Sequence, residues 1–278
     1  MDRLRVLTLN IWNRQGPWEE RLPLIREGIR ALDPDLVGLQ EVVRYENRSQ
    51  ADTIAEGLGY SVAFGVAHPL GGGVEFGNAV LSRWPIERHE VFPLPTSGTD
   101  ERRSMLLAEL ASPYGRIPFF VTHLNWKLHH GAVREGQVTA LVEIVMREAP
   151  VERPSTAGGS TGGALDRLPP VIVGDFNAEP DATEIRFLRG LQAIGGKSVY
   201  FADTFGQAGV GPGFTFDATR NPFAALTHEY PRRIDYIFVR GPDKRVRGKP
   251  LASRVVLDAV VGGVAASDHY GVYSEISI

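Results

Sequence analysis

Apolar residues recur along this chain with two periods, and the alternation between them predicts most of its elements. Leu4 to Leu9 forms a short β-type run. Trp18, Leu22, Ile25, Ile29 and Leu32 then fall at spacings of three and four, the signature of one buried helix face. Asp33-Pro34 ends that pattern, because the residue before a proline is pushed out of helical geometry. Leu36-Val37-Gly38-Leu39 reads as a second, buried strand. A helix is expected over about residues 50–58, followed by strands at 60–66, 77–81 and 105–110. Gly71-Gly72-Gly73 marks a loop between the first two of these.

Pro118-Phe119-Phe120-Val121-Thr122 predicts a strand that runs into His123. Val138, Leu141, Val142 and Val145 mark one face of a helix ending near Pro150. Residues 152–168 are rich in Pro, Ser, Thr, Gly and Ala and hold too little apolar material to fold. This predicts a flexible loop inserted into a single domain spanning 1–278, since polar clusters of one type lie on both sides of it. Val171-Ile172-Val173 is apolar at every position, as a strand covered on both faces requires. A helix at 182–189 and strands at 214–216, 234–239, 254–261 and 270–278 complete the pattern. Strands and helices mixed throughout predict α/β layers around a sheet core.

Composition narrows the chemistry. The chain of 278 residues has no cysteine, which excludes disulfide frameworks, zinc-thiolate sites and cysteine nucleophiles. No apolar run approaches the roughly 20 residues of a membrane-spanning helix. The first residues, Met1-Asp2-Arg3-Leu4-Arg5, lack the apolar core of a signal peptide. A cytoplasmic location is the expectation. The formal net charge of -3 does not favour a protein that grips nucleic acid non-specifically, since phosphate neutralisation supplies most of such binding. It leaves nucleic acid open as a partner through a local basic groove.

Polar residues cluster where the predicted strands end. Asn10, Gln40-Glu41, His123 with Asn125, Gly174-Asp175-Phe176-Asn177 and Ser267-Asp268-His269 each close an apolar run. In α/β folds ligands bind at the carboxyl ends of strands. Glu41 and Asp268 suit a magnesium or manganese ion, which prefers oxygen ligands and takes one or two carboxylates; a strand-end carboxylate facing solvent is the plainer alternative. Asp175 is able to orient or deprotonate water and Asn177 to donate to a phosphoryl oxygen, although either residue alone fits an Asx-type turn. His123 and His269 are able to donate to a phosphate or move a proton near neutral pH. Asp235 sits in an otherwise apolar strand, where an unpaired carboxylate is costly, so it needs a partner, and His269 is the candidate. Glu75 is a weaker candidate partner for His123. Arg103 is placed either to bind a phosphate or at the surface. Trp12, Trp18 and Trp126 line a cleft or fill a core. His129-His130 touch substrate or face solvent.

Seven strings now make a resemblance. Leu7-Thr8-Leu9-Asn10, Leu39-Gln40-Glu41-Val42, Gly77-Asn78-Ala79-Val80-Leu81-Ser82-Arg83, Thr122-His123-Leu124-Asn125, Gly174-Asp175-Phe176-Asn177, Arg233-Ile234-Asp235-Tyr236 and Ser267-Asp268-His269 occur in this order. Together they resemble the endonuclease/exonuclease/phosphatase superfamily, whose members include DNase I-like nucleases, neutral sphingomyelinases and inositol phosphatases. The resemblance implies a four-layer α/β/β/α sandwich with two central mixed β-sheets. It implies that Glu41, with Asn10 and Asp268, holds one or two Mg²⁺ or Mn²⁺ ions. Asp175 and Asn177 would serve water and phosphate, and His269, paired to Asp235, the scissile phosphate. His123 would stabilise that phosphate from the other side, with Arg103 and Asn125 as substrate contacts and Glu75 in support.

The expected activity is hydrolysis of a phosphodiester or phosphomonoester, on a small, lipid-derived or nucleotide-type substrate. A magnesium-dependent nuclease is the alternative, and a catalytically silent binding module of the same fold the third reading. No basic, aromatic recognition helix and no long apolar hairpin is evident. The stretch Trp126-Lys127-Leu128-His129-His130 is distinctive and has no assigned role.

Overall fold

The computed structural model describes residues 2–150 and 167–278. The first half runs β1 (Arg3–Asn10), α1 (Trp18–Leu32), β2 (Leu36–Tyr45), β3 (Arg48–Ser49), α2 (Gln50–Ala55), β4 (Ser61–Gly71), β5 (Val74–Ser82) and β6 (Ile86–Pro93). Then come β7 (Ser104–Ser112), β8 (Gly115–His123), α3 (Gly131–Glu148), β9 (Val171–Asp175), α4 (Thr183–Leu188), β10 (Ala202–Asp203) and α5 (Thr204–Ala208). The last part holds β11 (Asp235–Val239), β12 (Pro250–Val256), β13 (Val260–Val261), β14 (Val264–Ala265) and β15 (Gly271–Ser277).

The strands form two mixed sheets. One has the order β12-β15-β1-β2-β5-β4, with β3 attached to β2; the other has the order β10-β11-β9-β8-β7-β6. Each contains a parallel pair near its centre, β1 with β2 and β8 with β9, and each pair is joined through a helix. The sheets pack face to face through Val6, Leu36, Val80 and Val272 of the first and Leu106, Val121, Val173 and Ile237 of the second. Strand alternation sends the intervening residues outward. Leu7, Leu9, Val37 and Leu39 meet α1 and α2, whereas Phe120, Ile172 and Phe238 meet α3 and α4. The fold is thus the expected four-layer α/β/β/α sandwich.

α1 shows which local forces prevail. Its interior Pro23 removes a backbone donor, at about 3 kcal/mol. Trp18, Ile25 and Ile29 are buried on the sheet, and each contributes about 1.5–3 kcal/mol, so burial outweighs the proline. The helix stops where the sequence predicts. Asp33 turns left-handed and its N–H donates to the Ile29 carbonyl at 2.9 Å. In α2, Ser49 and Asp52 cap each other reciprocally.

Several expectations need correction. Residues 214–216 make no strand: among the described residues, Phe216 forms only an isolated bridge to Arg232, beyond the left-handed Gly211 and Gly213. The strand expected at 254–261 starts at Pro250 and breaks after Val256, where Leu257 turns left-handed and Val260–Val261 folds back as a hairpin. β6 escapes the hydrophobic pattern because Glu87, Arg88, His89 and Glu90 are consecutive, polar and exposed. Residues 152–166 of the expected loop lie outside the described residues. Its last two belong to the layered structure, since Arg167 bridges Arg116 and apolar Leu168 is buried between the sheets. No helix among the described residues is long and apolar enough to cross a membrane.

One position sets how closely the sheets approach. A Cβ added at Gly38 on β2 would lie 2.2 Å from Val173 Cγ2 and 3.0 Å from Val121 Cγ2, on the opposite sheet. Gly38→Ala is expected to destabilise the protein by about 1–3 kcal/mol, as overpacked cores do. A lowered urea midpoint checks this, and an unchanged midpoint would mean that the sheets separate here without strain.

Candidate active site

The parallel pairs are what make a site. β1 ends at Asn10, β8 at His123 and β9 at Asp175, and in the parallel register Asn10 lies beside Gln40 and His123 beside Asp175. β2 carries one more device. Its pairing with β5 shifts register between Leu39 and Val42, and Glu41 there has a left-handed φ of 58°. This bulge interrupts the strand's alternation and re-aims the glutamate. Trp12, Asn13 and Asn177 are also left-handed. Non-glycine residues in that region hold strain that the surroundings must over-determine, and such residues gather at functional sites.

Asp175 is the junction, and it is buried. Asn10 Nδ2 donates to its Oδ2 at 3.0 Å, and the Asn177 backbone N–H donates to its Oδ1 at 2.9 Å. The Nε2 atoms of His123 and His269 lie 3.4 Å and 3.7 Å from the same Oδ2. Burial, then the nearby Asp235 charge, pushes this carboxyl up to about 6, against the opposing pull of His269 and the two N–H donors.

The two histidines sit on opposite sides of Asp175 in different electrostatic settings. His269 Nδ1 lies 2.9 Å from Asp235 Oδ2, as the sequence pairing anticipates. Burial alone would lower its pKa, but Asp235, Asp175 and Asp268 together raise it well above the ordinary histidine value. The edge of Phe216 packs on its ring. His123 is the reverse. Burial, then the Arg103 guanidinium, lowers it well below the ordinary value. Arg103 Nη1 lies 2.8 Å from His123 Nδ1. A guanidinium only donates, so Nδ1 is the acceptor and Nε2 carries the proton. His123 is therefore a neutral donor facing Asp175.

Glu41 and Asp268 form an acidic side to the site. Glu41 accepts from Asn10 Nδ2 at 3.2 Å and from Asn13 Nδ2 at 2.9 Å. Burial, and then Glu41 and Asp175, push the Asp268 carboxyl up to about 7, although His269 and Ser267 oppose the shift. Ser267 Oγ donates to the Asn10 carbonyl at 2.6 Å and so ties this segment to β1. Asp175, Asp235 and His269 also bring ligand-type atoms within 4.8 Å of one another, a buried Asp/Asp/His cluster.

A residue that no motif marks lies close to the two acids. Arg21 on α1 is fully buried. Its Nη1 donates to the Ile11 and Ala266 carbonyls at 2.9 Å and 3.0 Å, and its Nη2 to Asn13 and Gln15 at 3.0 Å and 2.8 Å. It clamps the segment after Asn10 to the segment before Asp268. Burial lowers its pKa to about 10, while Asp268 and Glu41 oppose that shift. The only hint in sequence is an arginine on the apolar face of a helical pattern.

Other candidates take different places. Glu75 does not reach His123; it pairs with Arg44 at 2.5 Å, one strand away in the antiparallel register. Arg103 is buried, with its Nε and Nη2 on Glu101 and its Nη1 on His123, so it positions His123 rather than presenting a free guanidinium. Asn125 is fully buried and spends its Nδ2 on Glu101. The Asn177 amide donates to the Leu124 carbonyl at 3.2 Å. Trp18 is core and Trp12 packs on Phe223, whereas Trp126 is 57% exposed.

Comparison with known proteins places the chain by family and fold. The profile of the Endonuclease/Exonuclease/phosphatase family matches residues 7–269. Uncharacterized protein YbhP of Escherichia coli (strain K12) is 30% identical over 190 residues, covering 62% of this chain and 66% of that protein. The chain thus matches just under two thirds of that relative's length. D. rerio TDP2 complexed with single strand DNA product superposes with a TM-score of 0.75 at 18% identity, covering 100% of both chains. The human Nocturnin catalytic domain with bound sulfate anion gives 0.70 at 20% identity, covering 99% of this chain and 93% of that one. At these identities the two structures share the fold.

His123 is expected to stay neutral, with its proton on Nε2, from pH 8 down to pH 6. Nitrogen-detected NMR of its ring checks this, and Arg103→Met is expected to raise its pKa toward the ordinary value of about 6.5. An imidazolium at pH 7 in the unsubstituted protein would overturn the assignment.

Proposed function

The chain belongs to the endonuclease/exonuclease/phosphatase family, and on that footing we propose that it is a metal-dependent phosphoesterase that hydrolyses a small, lipid-derived or nucleotide-type ester. The observation that carries the reading is the meeting on Asp175 of an amide from β1, histidines from two directions and a separate pair of acids. The proposal takes residues 1–278 as one catalytic unit.

A divalent cation fits the acidic side. Glu41 and Asp268 face each other's charge, His269 is paired to Asp235, and the buried Arg21 spends its donors on backbone carbonyls. Two carboxylates with no hydrogen-bonded counter-charge among the described residues suit Mg²⁺ or Mn²⁺ better than they suit each other. Glu41 and Asp268 would hold the ion. The Asn10 amide would space them from Asp175, its own oxygen being engaged by the Trp12 N–H at 2.9 Å. The Asp/Asp/His cluster suits an ion less, because its His269–Asp235 hydrogen bond would have to break. An ion held by Glu41 and Asp268 would offset charge on the phosphoryl and leaving oxygens.

The side chains then divide the work. Asp175, its pKa raised but still mostly ionised at pH 7, accepts the proton of the attacking water. The water oxygen bonds to phosphorus as the bond to the ester oxygen breaks. His123 Nε2–H and protonated His269 donate to phosphoryl oxygens from either side. Asp235 keeps His269 charged and oriented, and Arg103 keeps His123 neutral. Donors fixed before the reaction need no reorganisation during it, which is where such sites gain most of their rate. The ligands seen in the two structural neighbours, a DNA product and a sulfate, are phosphate esters or their shape mimics.

Hydrolysis is expected to stop in EDTA and return with Mg²⁺ or Mn²⁺. Asp175→Ala and His269→Ala are each expected to lower kcat by about 10²–10⁴-fold, the usual worth of a general acid–base group. A panel of bis-p-nitrophenyl phosphate, sphingomyelin, inositol phosphates and plasmid DNA, with circular dichroism to confirm folding, checks this. Full activity in both variants would sink the mechanism, and nicking of plasmid in preference to small esters would make the protein a nuclease. Mg²⁺ binding without turnover of any ester would leave a binding module.

A further inference from the structure

The stretch after the His123 motif gains a setting in the structure. A cleft of about 450 Å³ opens between the turn at Gly98, Asp100 and Glu101 and the turn at Trp126, Lys127 and His130. Its volume falls within the range of small-molecule sites, about 300–1,000 Å³. It is joined to the candidate active site by side chains. Glu101 Oε1 accepts from Arg103 Nε at 2.5 Å, and Arg103 Nη1 donates to His123 Nδ1 at 2.8 Å. A group lodged in the cleft is therefore one guanidinium removed from His123.

The walls define what would fit. Trp126, 57% exposed, offers a broad aromatic surface. Asn125, buried behind the walls, fixes the polarity of the Glu101 and His130 side chains that line them. Its Nδ2 donates to Glu101 Oε2 at 2.5 Å, and its Oδ1 accepts from the Lys127 backbone N–H at 3.1 Å. His130 Nδ1 lies 3.0 Å from that same oxygen and must donate to it. On the neutral ring, Nε2 is then an acceptor. With exposed Asp100 on the facing turn, the cleft presents acceptors from both walls and one ammonium, Lys127.

We propose that this cleft is a subsite for the nucleobase of a nucleotide-type ester, the base stacking on Trp126 with an amino edge toward His130 and Asp100, and Lys127 meeting a phosphate. This rests on the phosphoesterase reading and names its substrate class. Shape and hydrogen bonding separate the nearest rivals. A quaternary ammonium would use Trp126 but has no N–H for His130, and it would sit beside Lys127. A polyol phosphate has no flat face for Trp126. A nucleotide satisfies all three features. Stacking of one base on an aromatic side chain contributes enough for a tenfold preference or more.

Calorimetric titration of the full chain in EDTA tests the proposal, with 5′-AMP, inosine 5′-phosphate, ribose 5-phosphate and phosphocholine as probes. The phosphate is common to all four, so its contribution largely cancels in the ratios. AMP is expected to bind at least tenfold tighter than ribose 5-phosphate and severalfold tighter than inosine 5′-phosphate, which lacks the amino group. Trp126→Ala, at an exposed position, is expected to erase the first preference, and Asp100→Asn to reduce the second. Equal binding of AMP and ribose 5-phosphate, a preference that survives Trp126→Ala, or tightest binding of phosphocholine would each overturn the subsite. Hydrolysis of methyl p-nitrophenyl phosphate with Mg²⁺ is measured alongside. Turnover without a base preference removes the subsite and leaves the phosphoesterase reading standing. A base preference with no turnover of any ester does the reverse.

Discussion

One amide joins the two sheets at the end where the chemistry gathers. Asn10 belongs to the first sheet, and its Nδ2 donates both to Glu41 of that sheet and to Asp175 of the other. Two carboxylates in low-dielectric surroundings repel, and a shared neutral donor lets them sit close without adding a charge of its own. That bond exists only if the sheets keep their distance, and the distance is set by the interlocking of Gly38 with Val121 and Val173. The inter-sheet core and the site are therefore one constraint.

The second organising fact is the opposite treatment of two histidines that flank the same carboxylate. Asp235 and its neighbouring acids favour charge on His269 against its burial, whereas burial and then Arg103 disfavour it on His123. Equal residues become unequal groups through their partners alone, as pairs of titratable groups often do where acid and base roles must be separated. Arg21 answers the same problem on the acidic side. A buried guanidinium that bonds only to carbonyls organises the backbone around Glu41 and Asp268 and leaves their oxygens to other partners.

Much of this was legible in the chain, for identifiable reasons. Apolar periodicity located the strands of both parallel pairs, and polar residues directly after them marked the strand ends that converge. The Asp235–His269 pair followed from a carboxylate in an apolar strand that needed a partner. Long-range pairing was not legible where polarity gave no constraint. Glu75 looked free to serve His123, but a neighbouring strand supplies Arg44, and a residue distant in sequence, Arg103, occupies the histidine instead. Arg103 and Asn125 looked like substrate contacts because an exposed and a buried polar side chain read alike in sequence. The bulge at Glu41 also left no trace, since an added residue in a strand is visible only against its partner.

β6 was hidden by its own charge, and that charge has a further consequence. It is an outermost strand, paired with β7 on one side only among the described residues. An outermost strand offers unpaired backbone groups on which another chain can build, and such growth is a route to fibrils. Glu87, Arg88, His89 and Glu90 lie exposed along it, and Pro93 ends it without an N–H to donate. A second copy approaching that edge must strip water from four polar side chains before it forms one ladder bond. The run that disguised the strand from a hydrophobic reading is thus also what keeps the sheet finite.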